Sequence, residues 1–234
     1  MHRNHSFRWF WLLLLIAALT VLIPRSGDAK SLWHLRAFGV WLEPDLDYQG
    51  PTGDDEVDIL ATAAGSFGLG ISAEYQFTER LGVELGILRA TPKITLDYAF
   101  RDLGLQLQTS DNLAMTPISL GLDIHLLPEK RLDVYLAPVL AYVWNSDLDF
   151  VVDQTFEIEG QPIRIRDEAR VNVSNDVAYG ATLGVDIPFS ARPWAVATSL
   201  RYLATELEAT DPEGEGIRPD FNTSIVTVGL RYSF

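Results

Sequence analysis

The 234-residue chain has no cysteine, so disulfides, thiolate metal centres and a cysteine nucleophile are all excluded. Beyond Ile23 it lacks any apolar run long enough to cross a bilayer as a helix, and that excludes a helical membrane protein. Basic residues are scarce, with 18 Lys and Arg against 32 Asp and Glu. Nucleic-acid binding rests on neutralising phosphates with Lys and Arg, so a polyanion of this kind has no footprint for such a partner. Nothing in the residues points to a cofactor.

What is present begins with an export layout. Arg3 and Arg8 precede an apolar run from Trp9 to Ile23, followed by Pro24 and the small residues Gly27 and Ala29. The run is about fifteen residues, short of the roughly 20 that a spanning anchor helix needs. Residues 1–29 are therefore read as a cleaved signal peptide and 30–234 as the mature domain. Loss of Arg3, Arg8, Arg25 and Asp28 leaves 15 basic against 31 acidic residues, a net charge of −16.

The mature sequence alternates apolar with small or polar residues in segments near 32–42, 65–77, 80–90, 113–126, 132–144, 176–188, 194–205 and 222–234. About ten residues per segment is the length a tilted strand needs to cross a bilayer, and an even number suits a single-chain bacterial barrel. Leu69, Ile71, Ala73, Tyr75 and Phe77 line one face of the second segment; Gly70, Ser72, Glu74 and Gln76 line the other. Ile118, Leu120, Leu122, Ile124 and Leu126 oppose Ser119, Gly121, Asp123 and His125. In the last segment Val226, Val228, Leu230, Tyr232 and Phe234 oppose Ile225, Thr227, Gly229, Arg231 and Ser233. A lipid-facing apolar band around a narrow interior of small and paired charged residues has this pattern. In the first segment Phe38 and Val40 compete with Leu35 and Ala37 for the lipid face, so its register stays open.

Short turns near Thr78–Arg80, Pro128–Arg131 and Ser190–Pro193 alternate with long polar connections over 43–64, 91–112, 145–175 and 206–221. This asymmetry predicts an all-β fold: an eight-stranded antiparallel transmembrane β-barrel with short periplasmic turns and long acidic external loops. Within the third connection Phe156 and Ile158, a turn at Gly160–Pro162, then Ile163 and Ile165 predict a hairpin of about five residues per arm, too short to span. Aromatic residues gather near segment ends as two girdles: Trp33, Trp41, Tyr75, Phe77, Tyr98, Phe100, Tyr142, Trp144, Trp194, Tyr202, Tyr232 and Phe234.

The sequence resembles the OmpW family of outer-membrane proteins. The resemblance runs through an early strand ending in Pro44, "ISAEYQFTERLGVELGILRATPKITL" (71–96), "TPISLGLDIHLLPEKRLDVYLAPVLAYVW" (116–144), "YGATLGVDIPFSARPWAVATSLRYL" (179–203) and the ending "TVGLRYSF". Ala90–Pro92 and the Tyr-Leu-Ala-Pro-Val-Leu-Ala-Tyr run are its more specific parts. It implies a narrow barrel in the bacterial outer membrane whose apolar lumen passes small hydrophobic molecules. The acidic insertion between Phe150 and Arg170 departs from the family's shorter loop. The terminal Phe234 resembles the signal read by the barrel-assembly machinery.

Candidate site residues follow from the inward faces. Glu74, Glu84, Asp123, His125, Asp186, Arg201 and Arg231 form an expected polar network of the lumen, in which Arg201 and Arg231 must meet Glu84, Asp123 or Asp186. Such a network either plugs the barrel structurally or constricts a conduit. Pro117 and Pro138 lack an N–H for the ladder and mark candidate lateral openings for an apolar solute. An enzymatic reading fails on its parts: only His34 and His125 survive signal cleavage, and Asp123-Ile124-His125 has no serine beside it on the same face. The acidic connections, with Asp45, Asp47, Asp54 and Asp55 in the first and Glu206, Glu208, Asp211, Glu213, Glu215 and Asp220 in the fourth, lack calcium-loop spacing. They are read as a solvated face screened by the divalent ions that bridge lipopolysaccharide. A conduit for small apolar molecules and a structural or surface-interaction barrel with a plugged lumen both remain open.

Overall fold

A computed structural model describes residues 32–51, 57–100, 105–127, 132–158, 161–189, 193–210 and 216–234. The expected signal peptide, Asp54 and Asp55 lie outside the described residues, as do most of the turns expected at 128–131 and 190–193. Among the described residues sixteen strands occur in chain order. They are β1 (Leu32–Asp45), β2 (Asp47–Pro51), β3 (Val57–Ala64), β4 (Ser66–Gln76), β5 (Leu81–Ala90), β6 (Lys93–Phe100), β7 (Leu105–Asn112) and β8 (Met115–His125). The chain continues as β9 (Asp133–Asn145), β10 (Leu148–Ile158), β11 (Gln161–Val173), β12 (Asp176–Pro188), β13 (Trp194–Ala204), β14 (Ala209–Thr210), β15 (Gly216–Ile217) and β16 (Asn222–Ser233).

Eight of these close into an antiparallel barrel in the order β1-β16-β13-β12-β9-β8-β5-β4, and each falls on one of the alternating segments. Closure joins the first and last strands, from His34↔Ser233 to Asp45↔Asn222, so the barrel itself has no open edge. At one short-turn end Thr78 Oγ1 accepts from the N–H groups of Arg80 and Leu81, at 3.2 and 2.9 Å, which ties the β4–β5 connection.

Alternation sorts the side chains as the pattern predicts. Leu69 is 75 % exposed and Ile71 60 %, while Ser72 and Glu74 between and beyond them are buried. Val228 and Leu230 likewise face outward, with Ile225 and Arg231 inside. In β1 the register resolves in favour of Leu35 and Ala37 outside and His34, Arg36, Phe38, Val40 and Leu42 inside. Aromatic rings border the outer apolar belt at both ends. Trp33 packs at a tilt against Tyr75 and Trp194 edge to face against Tyr232, each at 4.9 Å between ring centres, at the short-turn end; Trp41 meets Phe67 at 4.6 Å at the other. Tyr98 and Phe100 do not join these rings, because they belong to β6, outside the barrel.

The long connections are a correction to the sequence reading. They form two further four-stranded sheets, β2-β3-β6-β7 and β10-β11-β14-β15, rather than irregular loops. The hairpin in the third connection has arms of 11 and 13 residues, not about five. Asp, Glu, Arg and Gln at alternate positions obscured these strands, yet their inward partners build a core: Ala61, Ile94, Leu148, Phe150 and Val173 are all buried. The two sheets meet where Thr109 Oγ1 donates to the Val151 carbonyl (3.1 Å) and Gln154 Nε2 to that of Gln108 (3.0 Å). On the acidic faces Arg164 pairs with Asp153 at 2.5 Å, Arg170 with Asp147 at 2.7 Å, and Arg218 with Glu208.

Candidate functional site: the barrel interior

The interior is divided along its axis. The half toward the long connections is apolar, lined by Val40, Leu42, Leu88, Met115, Val139 and Ile225, and runs without a break into Leu113, Phe221 and the core of the outer sheets. The half toward the short turns is polar and charged. Its centre is Arg36, which the sequence reading missed because apolar Phe38 and Val40 share its face.

Arg36 is 4 % exposed and holds carboxylates from three strands. Nη2 donates to Glu74 Oε2 of β4 at 2.7 Å and to Asp186 Oδ2 of β12 at 3.0 Å; Nη1 donates to Glu84 Oε2 of β5 at 2.8 Å. The Tyr135 ring lies 5.1 Å from its guanidinium carbon, adding a cation–π contact. That ring reaches the centre because β12 carries Gly184, where a Cβ would collide with Tyr135.

Every residue of the expected network faces this interior. Arg201 donates to Glu84 Oε1 (3.1 Å), Ser119 Oγ (2.9 Å) and Thr182 Oγ1 (2.8 Å). Arg231 donates to Asp186 Oδ2 at 2.6 Å and reaches Asp133 Oδ2 at 3.4 Å. His125 stands between Glu74 Oε1, 2.8 Å from Nε2, and Asp133, 3.0 Å from Nδ1. Asp123 is buried beside them, and its Oδ2 has no hydrogen-bond partner. Asp133, like Arg36, escaped the sequence reading, because it opens a strand next to a turn rich in charge.

Burial of an ion costs several kcal/mol unless partners replace its water, and this network draws its members from all eight barrel strands. A void beside Arg36, Phe38, Glu84, Tyr135 and Arg201 measures about 20 Å³, room for one water molecule. Interior and exterior prolines also differ. Pro117 is buried, and the β5–β8 ladder has a two-pair gap beside it, between Ile87↔Ile118 and Ala90↔Met115, with the register the same on both sides. Pro138 points outward, and the β8–β9 ladder has a two-pair gap beside it, between Gly121↔Val139 and Ile124↔Leu136, again with the register unchanged. The two mark different seams at different heights: Pro117 borders the apolar half, Pro138 the charged one. Asp45 is exposed on β1 opposite Asn222, remote from both. Asp47 lies on β2.

No family model matches the chain, and no curated protein matches it by sequence. Among solved structures it is similar to the outer membrane protein OprG from Pseudomonas aeruginosa, at 14 % identity over 89 % of this chain and 98 % of that one, with a TM-score of 0.59. It is also similar to the outer membrane protein AlkL, solved in DMPC bilayers, at 14 % identity over 90 % and 93 % of the two chains and a TM-score of 0.51. Neisserial surface protein A matches at 12 % identity over 88 % and 100 %, with a TM-score of 0.50. At these identities the likeness is one of fold: a closed eight-stranded antiparallel barrel of the kind found in outer-membrane proteins.

Proposed function

We propose that the chain is an outer-membrane β-barrel, related to the OmpW family, that passes neither ions nor water along its axis. The observation that carries this reading is the completed layer around Arg36, which fills the charged half and leaves a void of about 20 Å³. Membrane insertion is supported by the outer belt. Leu69, Ile71, Leu85, Val228 and their neighbours, ringed by Trp33, Trp41, Trp144 and Trp194, expose an apolar surface continuous around the barrel, which a protein free in water does not tolerate. Phe234, exposed on the same belt and tied by its N–H to the Trp33 carbonyl at 3.0 Å, is the proposed contact for the assembly machinery, and lipopolysaccharide the proposed surroundings of the acidic sheets.

A second reading, lateral passage of small hydrophobic molecules, is favoured by the position of the ladder gap at Pro117. The gap lies beside Leu88 and Met115, above the charged layer, where fewer hydrogen bonds join β5 to β8 and an exit for an apolar solute would meet no ion. Planar-bilayer recordings of the purified protein test the first reading: no steady conductance is expected, and a large one refutes it. Uptake of an apolar dye into proteoliposome membranes tests the second. Pro117→Val should slow uptake and Pro138→Val leave it unchanged; equal effects remove Pro117 as the exit, and no uptake by the parent protein leaves the sealed barrel without a transport role.

A further inference from the structure

Among the described residues the interior charges do not balance. Arg36, Arg201 and Arg231 face Glu74, Glu84, Asp123, Asp133 and Asp186, so with neutral histidines two carboxylates are in excess. The excess is concentrated at one place, where Glu74, Asp123 and His125 bring one ligand atom each within 4.8 Å of one another. All three are buried, Asp123 being 1 % exposed. Within this cluster Asp123 Oδ2 has no hydrogen-bond partner, and a buried carboxylate oxygen left in that state is costly. Answering both groups with protons takes one on His125 Nε2 for Glu74 and a second on Asp123. A divalent cation answers both and cancels the excess charge.

We propose that Glu74, Asp123 and His125 bind one zinc ion in the turn-side half of the barrel. The donor set of one imidazole and two carboxylates suits zinc; calcium and magnesium prefer oxygen alone. Tetrahedral bonds of about 2.0–2.1 Å set ligand atoms roughly 3.3 Å apart, a spacing the cluster meets with small side-chain movements. Asp133 completes the arrangement: at 3.0 Å from Nδ1 it holds the His125 tautomer whose Nε2 lone pair points at the cluster, the supporting carboxylate that metal-bound histidines usually have. Room for Glu74 comes from Gly82 on the neighbouring strand, since a Cβ there would collide with Glu74 Oε1. His125 ends β8 and Asp133 begins β9, with the Asp133 side chain 17 % exposed, so the ion enters from the short-turn end. The site does not depend on whether the barrel transports anything.

The test is calorimetric titration of zinc chloride into full-length protein refolded in detergent after chelator treatment, with folding verified by the mobility difference between boiled and unboiled samples. One zinc per barrel is expected. Asp123→Asn preserves shape and should weaken binding at least tenfold, while Asp153→Asn on the outer sheets should not change it. Should His125→Asn fail to fold, ¹⁵N spectra of the parent protein give an independent reading, with zinc shifting Nε2 and leaving Nδ1 protonated. No saturable binding, binding equally weakened by Asp153→Asn or untouched by Asp123→Asn, or a doubly protonated His125 in zinc-saturated protein overturns the proposal.

Discussion

Replacing Arg36 by Met keeps much of the volume of a side chain that is 4 % exposed and removes the charge that three strands share. Removing one partner of a buried ion pair costs about 3–5 kcal/mol, because the remaining charge is stranded. Three carboxylates would seem to triple this figure, but none is abandoned. Glu74 retains His125, Glu84 retains Arg201 and the Ser72 hydroxyl, and Asp186 retains Arg231. The Arg36 Nε, moreover, is buried without a partner in the parent protein, so part of the desolvation cost disappears with the substitution. The expected loss is therefore the low end, about 3 kcal/mol. It should appear as a lower urea midpoint with an unchanged slope when tryptophan fluorescence follows unfolding in lipid vesicles. Adding Glu74→Gln should recover part of the loss, as coupling between direct partners requires. A loss below about 1 kcal/mol would refute the assignment of Arg36 as the centre of the interior.

Gly184→Ala inserts a methyl group where the Tyr135 ring stands, and overpacking of this kind should destabilise the barrel by about 1–3 kcal/mol in the same assay; a neutral result would place the ring elsewhere. On the outer sheets Asp153 is held below its ordinary value near 3.8, first by its hydrogen bond from Arg164. A depressed carboxylate contributes stability that is present above its unfolded value and is lost as pH falls through the lower folded one. Arg164→Ala should thus raise the Asp153 midpoint in a ¹³C carboxyl titration, and an unmoved midpoint would show the pair does not persist in solution.

The strands of the barrel were legible because each separates two unlike environments, so a period of two survives in the residues. Legibility failed where that contrast fades. In β1 the inner face turns apolar above Arg36, with Phe38, Val40 and Leu42 entering the apolar half, and hydrophobicity then no longer distinguishes inside from outside. Arg36 was lost in that ambiguity. The outer sheets present the reverse case. Charged and polar residues spread through β6, β10 and β11 made those segments look like solvated loops, although neighbours such as Ile94 and Phe150 are enclosed. Residues within the charged half were readable one by one as inward polar positions. Their pairings were not, since Arg36 and Asp186 meet across 150 positions of sequence and only barrel closure brings them together.

That closure has a consequence for the order of events in folding. Asp186 Oδ2 receives Arg36 from the first barrel strand and Arg231 from the last, at 3.0 and 2.6 Å. A chain whose middle strands have formed but whose ends are still apart holds this carboxylate without either cation, and water must remain inside to solvate it. Dehydration of the interior and docking of the two terminal strands are thereby a single cooperative step. Opening the seam again requires readmitting that water, which makes escape from the finished barrel slow.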